Sequence, residues 1–248
     1  MIVVIGTGCL TGSGDDARPA SLADRIALAA AAAGAGVERV ARVGDDAAGD
    51  AWQLALARAG VGHVAVLRDP ARRTASCDRV DLASDGDALD AAEDLALDAV
   101  MDAAEDAMDD ALRALEPSEE IRDLSSPAVQ DAGPTLDRAD VGLALRYLTD
   151  YRVVIAVHPS ADVAGEAIVA ADWARAHAVV VTRPDEPIPP TVPPGTLVLE
   201  ADPAPGAAAG LAARLGAYGA AIDGGQPAAR AYGALTAELD LIGGDRAG

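Results

Sequence analysis

Lysine and phenylalanine are both missing from this chain, and their absence limits what it can do. Aromatic residues make up 2% of the 248 residues. All 19 basic residues are therefore arginines, set against 40 acidic ones, and the formal net charge is −21. A surface this acidic repels nucleic acid phosphates and anionic lipid headgroups. We therefore expect neither nucleic acid nor a membrane as a partner.

The apolar part of the composition consists mostly of small residues. Hydrophobic residues make up 51% of the chain. Without phenylalanine, the core must be built from Ala, Val, Leu and Ile, with close backbone approach where Ala and Gly cluster. This acidic, lysine-free, alanine-rich composition resembles that of haloarchaeal cytosolic proteins. Because self-repulsion of this size needs screening by salt, we expect a halophilic protein.

Cysteines and long hydrophobic runs are also scarce. Cys9 and Cys77 are the only cysteines and lack metal-ligand spacing, so we expect reduced thiols and no metal site. The N-terminal run Met1-Ile-Val-Val-Ile5 has no basic region before it and does not fit a signal peptide. No run approaches the roughly 20 apolar residues of a membrane span. The expected location is the cytoplasm.

Apolar runs alternate with helix-capping residues along the chain. The first part of this pattern predicts strands at 2–5, 37–43 and 61–67, and helices at 22–33, capped by Ser21, and from Asp45 or Asp46 to Gly60. The later part predicts helices at 141–148, 207–222 and 227–241, a helix from Ser160 or Asp162 to Ala176, and strands at 152–157, 178–182 and 196–199. Strands alternating with helices at this spacing indicate an α/β fold with a largely parallel sheet.

The middle of the chain has a different composition. A polar strand is expected through Val80 and Leu82. Residues 87–116 then form a predicted amphipathic helix, with a Leu, Met and Ala stripe and an acidic outer face that we interpret as solvated. Segments 117–134 and 184–194 contain several prolines and are predicted to lack regular secondary structure. We expect a single domain over 1–248, with an internal break near 117–134 as the alternative.

The glycine-rich loop Gly6-Thr-Gly-Cys-Leu-Thr-Gly-Ser-Gly14 suggests a dinucleotide site. The third glycine of the G-x-G-x-x-G pattern falls on Thr11, however, and Pro19 delays the helix that would bind the pyrophosphate. This interpretation stays open as an alternative, in which the chain is an unrelated α/β nucleotide-binding protein.

A resemblance appears in Arg42-Val-Gly-Asp-Asp-Ala-Ala-Gly49, followed by Gly60-Val61 and Thr74. This order of motifs resembles the N-terminal half of the ribokinase/PfkB carbohydrate kinase family. The resemblance implies a ribokinase-like three-layer α/β fold with a mostly parallel central sheet, and the chain has no room for the family's lid. It also implies substrate positions at Thr11, Gly44 and Asp45.

The C-terminal part resembles the same family. A strand, Asp202, a Gly and Ala turn, and a helix are similar to the family's Asp-Thr-x-Gly-Ala-Gly-Asp signature, in which turn amides hold phosphate and the last Asp is the catalytic base. The resemblance thus implies nucleotide or anion binding by Thr182 and by the turn residues Gly206, Ala207, Ala208, Ala209 and Gly210. Ala208, Ala209 or Leu211 occupies the position of the base, and Asp202 matches the first Asp instead.

These sequence features are compatible with three alternative functions. The first is a non-catalytic relative of the sugar kinases that binds a nucleotide, a small anion or a protein partner. The second is an active sugar or nucleoside kinase using ATP and Mg²⁺, with Asp202 or Asp223 as a relocated base. The third is the dinucleotide-type protein described above. Ala and Leu faces on the last helices allow a homodimer.

The remaining histidines and tryptophans are interpreted as structural. His63, His158 and His177 lack an accompanying nucleophile motif. Trp52 and Trp173 lie on predicted helices and are expected to pack in the core.

Overall fold

Six parallel strands form the centre of the computed structural model, which describes residues 1–12, 17–77, 133–184, 192–201 and 207–243. The strands of the molecule are β1 (Ile2–Ile5), β2 (Cys9–Thr11), β3 (Arg18–Pro19), β4 (Val37–Gly44), β5 (Val61–Asp69), β6 (Ala75–Ser76), β7 (Val153–Val157), β8 (His177–Thr182) and β9 (Leu197–Glu200). The helices are α1 (Leu22–Ala32), α2 (Ala47–Arg58), α3 (Arg138–Tyr147), α4 (Ala161–Ala174), α5 (Ala207–Asp223) and α6 (Ala228–Gly243).

The central sheet has the strand order β5-β4-β1-β7-β8-β9, and every neighbouring pair in it is parallel. β1 and β7 carry only β-branched residues and alanine and are buried on both faces, as parallel strands covered by helices are. The strands come from both sides of the gap at 78–132. The predicted α/β fold with a mostly parallel sheet is confirmed.

Helices cover both faces of this sheet, so the molecule has three layers. One face packs against α1, α2, α5 and α6 and contains Trp52 and Leu215 in its core. The other face packs against α3 and α4 and contains Val141 and Ile168. Alternate residues of each strand enter the two cores, as the period of an extended chain requires: Ile2 and Val4 lie in the first, Val3 and Ile5 in the second.

Local capping chemistry sets the helix starts. Ser21 caps α1 and Asp46 caps α2, as predicted. Ser160, rather than Asp162, caps α4 by accepting the amide of Val163. α3 begins three residues before its predicted start, because Asp137 forms a capping box with Asp140 ahead of the apolar run.

A second sheet of three short strands, in the order β3-β2-β6, was not predicted. Its strand β2 occupies part of the loop expected at 6–14, and its pairing with β6 joins residues far apart in sequence. That pairing brings Cys9 and Cys77 together in a disulfide. The expectation of reduced thiols is therefore wrong, because spacing along the chain does not reveal a non-local pairing.

Several expectations fall outside the described residues. These are the strand through Val80 and Leu82, the acidic helix at 87–116 and most of the break at 117–134. The irregular segment 184–194 is described only at its ends. The single domain and the absence of a lid remain predictions. In the part of the chain that the structure describes, no helix is long and apolar enough to cross a membrane.

Candidate anion site at the carboxyl edge of the sheet

All six central strands end on one side of the sheet, which we call the carboxyl edge; the opposite side is the amino edge. The connection from β1 leads to β4 on one side, and that from β7 leads to β8 on the other. In open α/β sheets, ligands bind in the crevice outside the strand ends where the order reverses in this way. The geometry therefore places the crevice after β1 and β7, at Gly6 and His158.

The chain after β1 is held close to its neighbours. A Cβ on Gly6 would lie 3.0 Å from the Ala23 side chain and 3.1 Å from the Val157 carbonyl oxygen, and one on Gly8 would lie 2.9 Å from the Trp52 ring. Glycine at these positions therefore allows close packing. Beyond Gly8 the chain enters β2 instead of a helix, and α1 begins only at Leu22. The helix N-terminus needed by the dinucleotide interpretation does not follow this loop.

An ion pair lies beneath this loop, fully buried. Arg39 on β4 donates from Nε and Nη2 to Asp24 Oδ1 at 3.1 and 2.8 Å, and neither side chain is exposed. Arg39 also donates to the carbonyl oxygens of Val4 and Thr7, at 2.9 and 3.2 Å. The pair thus fixes the course of the chain as it leaves β1.

Asp24 accepts from several further donors. The indole of Trp52 donates to Oδ2 at 3.0 Å, and the amides of Ser21 and Cys9 reach the same oxygen. The Arg39 guanidinium lies 5.6 Å from the centre of the Trp52 ring, within cation–π range. Trp52 is fully buried, so its predicted packing role is confirmed. The sequence pattern did not predict the Asp24–Arg39 ion pair, although Arg39 lies on the same core-facing side of its strand as Val37 and Ala41.

The motif that carries the family resemblance forms a joint between β4, α2 and Thr74. Asp46 Oδ1 accepts the Thr74 hydroxyl at 2.7 Å and the Gly49 amide at 2.8 Å, while Oδ2 accepts the Thr74 amide at 2.9 Å. Burial alone would raise the pKa of Asp46, but these hydrogen bonds and the charge of Arg68 lower it below its ordinary value. The joint explains the two motif glycines, since a Cβ on Gly44 would lie 2.5 Å from the Thr74 nitrogen.

The predicted substrate positions do not all have the same surroundings. Gly44 ends β4, its amide bonded to the Thr74 hydroxyl at 3.0 Å. Asp45 is exposed and donates its amide to the Asp69 carbonyl. Thr11 lies at the end of β2 in the second sheet. Their role as substrate contacts remains a prediction.

On the other side of the crevice, His158 follows β7 in a left-handed backbone conformation, with φ of +46°, and its amide donates to Val181. Ser160 then caps α4. Thr182 ends β8, is buried, and its hydroxyl lies 3.4 Å from the Leu199 carbonyl oxygen. Thr182 therefore stands at the carboxyl edge, where the resemblance puts a nucleotide contact.

α5 begins at this same edge. β9 ends there at Glu200, and the last residue of α5, Asp223, lies at the amino edge, so the helix runs away from the carboxyl edge. Its first turn is Ala207-Ala208-Ala209-Gly210, with no acidic or basic residue. The first amides of a helix lack intrahelical partners and attract anions. Gly206 and Asp202 lie outside the described residues.

Asp223 is far from the other candidate residues. It pairs with the N-terminal ammonium of Met1, accepts the Gly36 amide, and its carbonyl accepts Nη1 of Arg152. These three partners immediately precede or begin β1, β4 and β7. Asp223 therefore binds the residues that precede three strands at the amino edge. The structure does not bring it together with Thr182 or the first turn of α5.

The other residues singled out from the sequence lie apart from the crevice. His177 begins β8 at the amino edge, and His63 lies in β5, where its buried Nδ1 has no hydrogen-bond partner. Trp173 is 88% exposed, so the prediction that it packs in the core is wrong. It lies on the outer face of α4. Among the described residues, no cluster of three His, Cys, Asp or Glu side chains is arranged to hold a metal ion.

No family model and no curated protein matches the chain. Solved structures to which it is similar include an uncharacterized sugar kinase from Pyrococcus horikoshii, at 12% identity and a TM-score of 0.40, over 74% of this chain and 52% of that one. Aminoimidazole riboside kinase from Salmonella enterica matches at 12% identity and 0.41, over 73% and 49%. Fructokinase from Halothermothrix orenii matches at 15% identity and 0.40, over 73% and 56%.

The chain spans about half the length of these structures. Their descriptions name a sugar kinase, a riboside kinase and a fructokinase. At this identity and these TM-scores, the matches carry no inference about ligand or activity.

Proposed function

We propose that this chain is a non-catalytic protein with a ribokinase-like fold that binds a nucleotide or another small anion at the carboxyl edge. The observation that carries the proposal is the first turn of α5. Its first amides have no partner within the helix, and its side chains, Ala207 to Gly210, include no group that could take a proton.

Phosphoryl transfer needs both charge neutralisation and a residue that orients or deprotonates the acceptor hydroxyl. The nearby carboxylate of Asp24 does not serve, because it is buried and already accepts from Arg39, Trp52 and backbone amides. Asp223 is occupied at the amino edge. Among the described residues, helix amides at the carboxyl edge without a neighbouring base support binding rather than catalysis.

The binding half of the proposal can be tested by titrating ADP and inorganic phosphate into the protein by calorimetry in molar KCl. Ala209→Glu adds a negative charge in the first turn of α5 and is expected to weaken ADP binding roughly tenfold. Ala213→Glu is the matched control: it makes the same change at an exposed site further along the helix and is expected to have little effect. Equal effects of the two variants, or no ADP binding by the folded protein, would overturn the proposal.

An active kinase remains the second candidate, with Asp202 as the residue to test because it comes two residues after the end of β9 in the sequence. ATP and Mg²⁺ would then be its cofactors. If the protein transfers phosphate to a sugar or nucleoside, Asp202→Asn separates a catalytic carboxylate, whose loss abolishes turnover, from a dispensable one.

A further inference from the structure

A cavity of about 260 Å³ lies between α5 and α6, away from the strand ends. Its wall is mostly apolar and comes from both helices, including Ala217, Ala231 and Leu235. Three polar residues interrupt that wall: Arg214, Tyr218 and Gln226. Small-molecule sites combine an apolar wall with a few polar groups in this way, and typically begin near 300 Å³. A ligand of this cavity must therefore be small.

Arg214 is the charged group of the cavity. Its Nε is buried and has no hydrogen-bond partner. The chain has 40 carboxylates for 19 arginines, and Arg39, Arg42, Arg68 and Arg138 all pair with one. A buried donor left unsatisfied costs roughly 1–3 kcal/mol, and more on a charged group. A carboxylate in the cavity would give the Arg214 side chain an anionic partner like those of the other four arginines.

Two further polar residues extend along the cavity from Arg214. Tyr218 is 6% exposed, and burial raises the pKa of its hydroxyl, so the group stays protonated and able to donate. Gln226 lies in the turn between the two helices, where its backbone amide donates to the Ala221 carbonyl oxygen at 2.9 Å. These polar groups share the wall of the cavity with the side chains of Ala217, Ala221, Ala231 and Ala234.

We propose that this cavity binds a small organic anion, a carboxylate with a short apolar body, whose carboxylate pairs with Arg214 while the body packs against the alanines of α5 and α6. The inference is independent of the function proposed above, because the cavity uses neither the first turn of α5 nor the crevice.

Sodium octanoate is a suitable probe, titrated by calorimetry into the protein in molar KCl. Octanol keeps the apolar body without the charge, and acetate keeps the charge without the body. Arg214→Gln removes the guanidinium, and Arg230→Gln is the matched control, an exposed arginine on α6 that does not line the cavity. Circular dichroism checks that each variant is folded.

We expect octanoate to bind more tightly than octanol or acetate, and Arg214→Gln to weaken it roughly tenfold. Arg230→Gln and Ala209→Glu are expected to leave octanoate binding within about twofold. Three results would overturn the inference: no octanoate binding by the folded protein, equal binding of octanoate and octanol, or equal effects of the two arginine variants. Loss of octanoate binding in Ala209→Glu would move the ligand to the first turn of α5.

Discussion

Five donors converge on the carboxylate of Asp24: two nitrogens of Arg39, the Trp52 indole, and the amides of Ser21 and Cys9. Side chains from α1, α2 and β4 meet at this one group, directly under the loop that leaves β1. Because every partner is a donor, the hydrogen-bonding capacity of this buried carboxylate is satisfied. The pair holds the chain in place where it leaves β1.

Replacing Arg39 should therefore lower the free energy of unfolding substantially. Arg39→Met leaves Asp24 buried and unpaired, at a cost of about 3–5 kcal/mol in the free energy of unfolding. The control is Arg138→Met, which breaks an ion pair whose arginine side chain is 71% exposed, and is expected to cost at most about 1 kcal/mol. Urea unfolding in molar KCl measures both. Similar losses in the two variants would contradict the structural role of the buried pair.

Asp46 predicts a pH dependence. Its folded-state pKa lies below its ordinary value of 3.8, so the hydrogen bonds from Thr74 and Gly49 stabilise the fold above that pH, and this stabilisation is lost as pH falls through the folded pKa. Asp46→Asn should lose stability at neutral pH and show a smaller further loss on acidification than the parent. Thermal unfolding from pH 7 downward measures the difference between the two curves. Parallel curves would show that Asp46 does not contribute to acid sensitivity.

At the scale of elements, α1 and α5 approach closely where glycine permits it. A Cβ on Gly216 would lie 2.6 Å from the Ala29 side chain and 2.7 Å from the Ala30 nitrogen, which is backbone and cannot move aside. Gly165 on α4 has open space around it. The two helical glycines therefore differ only in their surroundings.

Gly216→Ala should push α5 away from α1 and destabilise the fold by about 1–3 kcal/mol. Gly165→Ala, the same substitution in a helix interior, should instead stabilise by up to about 1 kcal/mol because alanine has the higher helix propensity. Melting temperatures measured side by side give the two signs. A stabilising Gly216→Ala would contradict the observed contact.

The elements also show how far the sequence could predict this structure. Caps such as Ser21 and Asp46 are local, since each accepts the amide three residues further along the chain, and the sequence predicted them. The second sheet, the Cys9–Cys77 disulfide and the Asp24–Arg39 pair depend on residues brought together by the whole fold. The prediction for Trp173 was wrong for a related reason. A single tryptophan does not show which face of its helix other elements will cover.

For the candidate site, the first turn of α5 and Thr182 lie at the same edge of the sheet, and their role in binding remains a prediction. The sequence could not place Asp223, because the direction of α5 relative to the strands becomes known only when the sheet is assembled. The cytoplasmic location and the homodimer remain predictions.

At the scale of the whole molecule, we expect the net charge of −21 to make stability depend on salt. Self-repulsion among exposed carboxylates weakens as the screening length falls from about 10 Å at 0.1 M salt to about 3 Å at 1 M. We expect the melting temperature to rise steeply between low-salt buffer and molar KCl, as measured by circular dichroism. A melting temperature that does not change with salt would refute the halophilic interpretation.

The central claim is that the carboxyl edge binds an anion and catalyses no phosphoryl transfer. The most direct measurement follows the terminal phosphate of ATP in molar KCl with Mg²⁺, offering a panel of sugars and nucleosides to protein that binds ADP. We predict no transfer above the rate without protein. Transfer to any of these acceptors that is abolished by Asp202→Asn would contradict the claim and establish an active kinase.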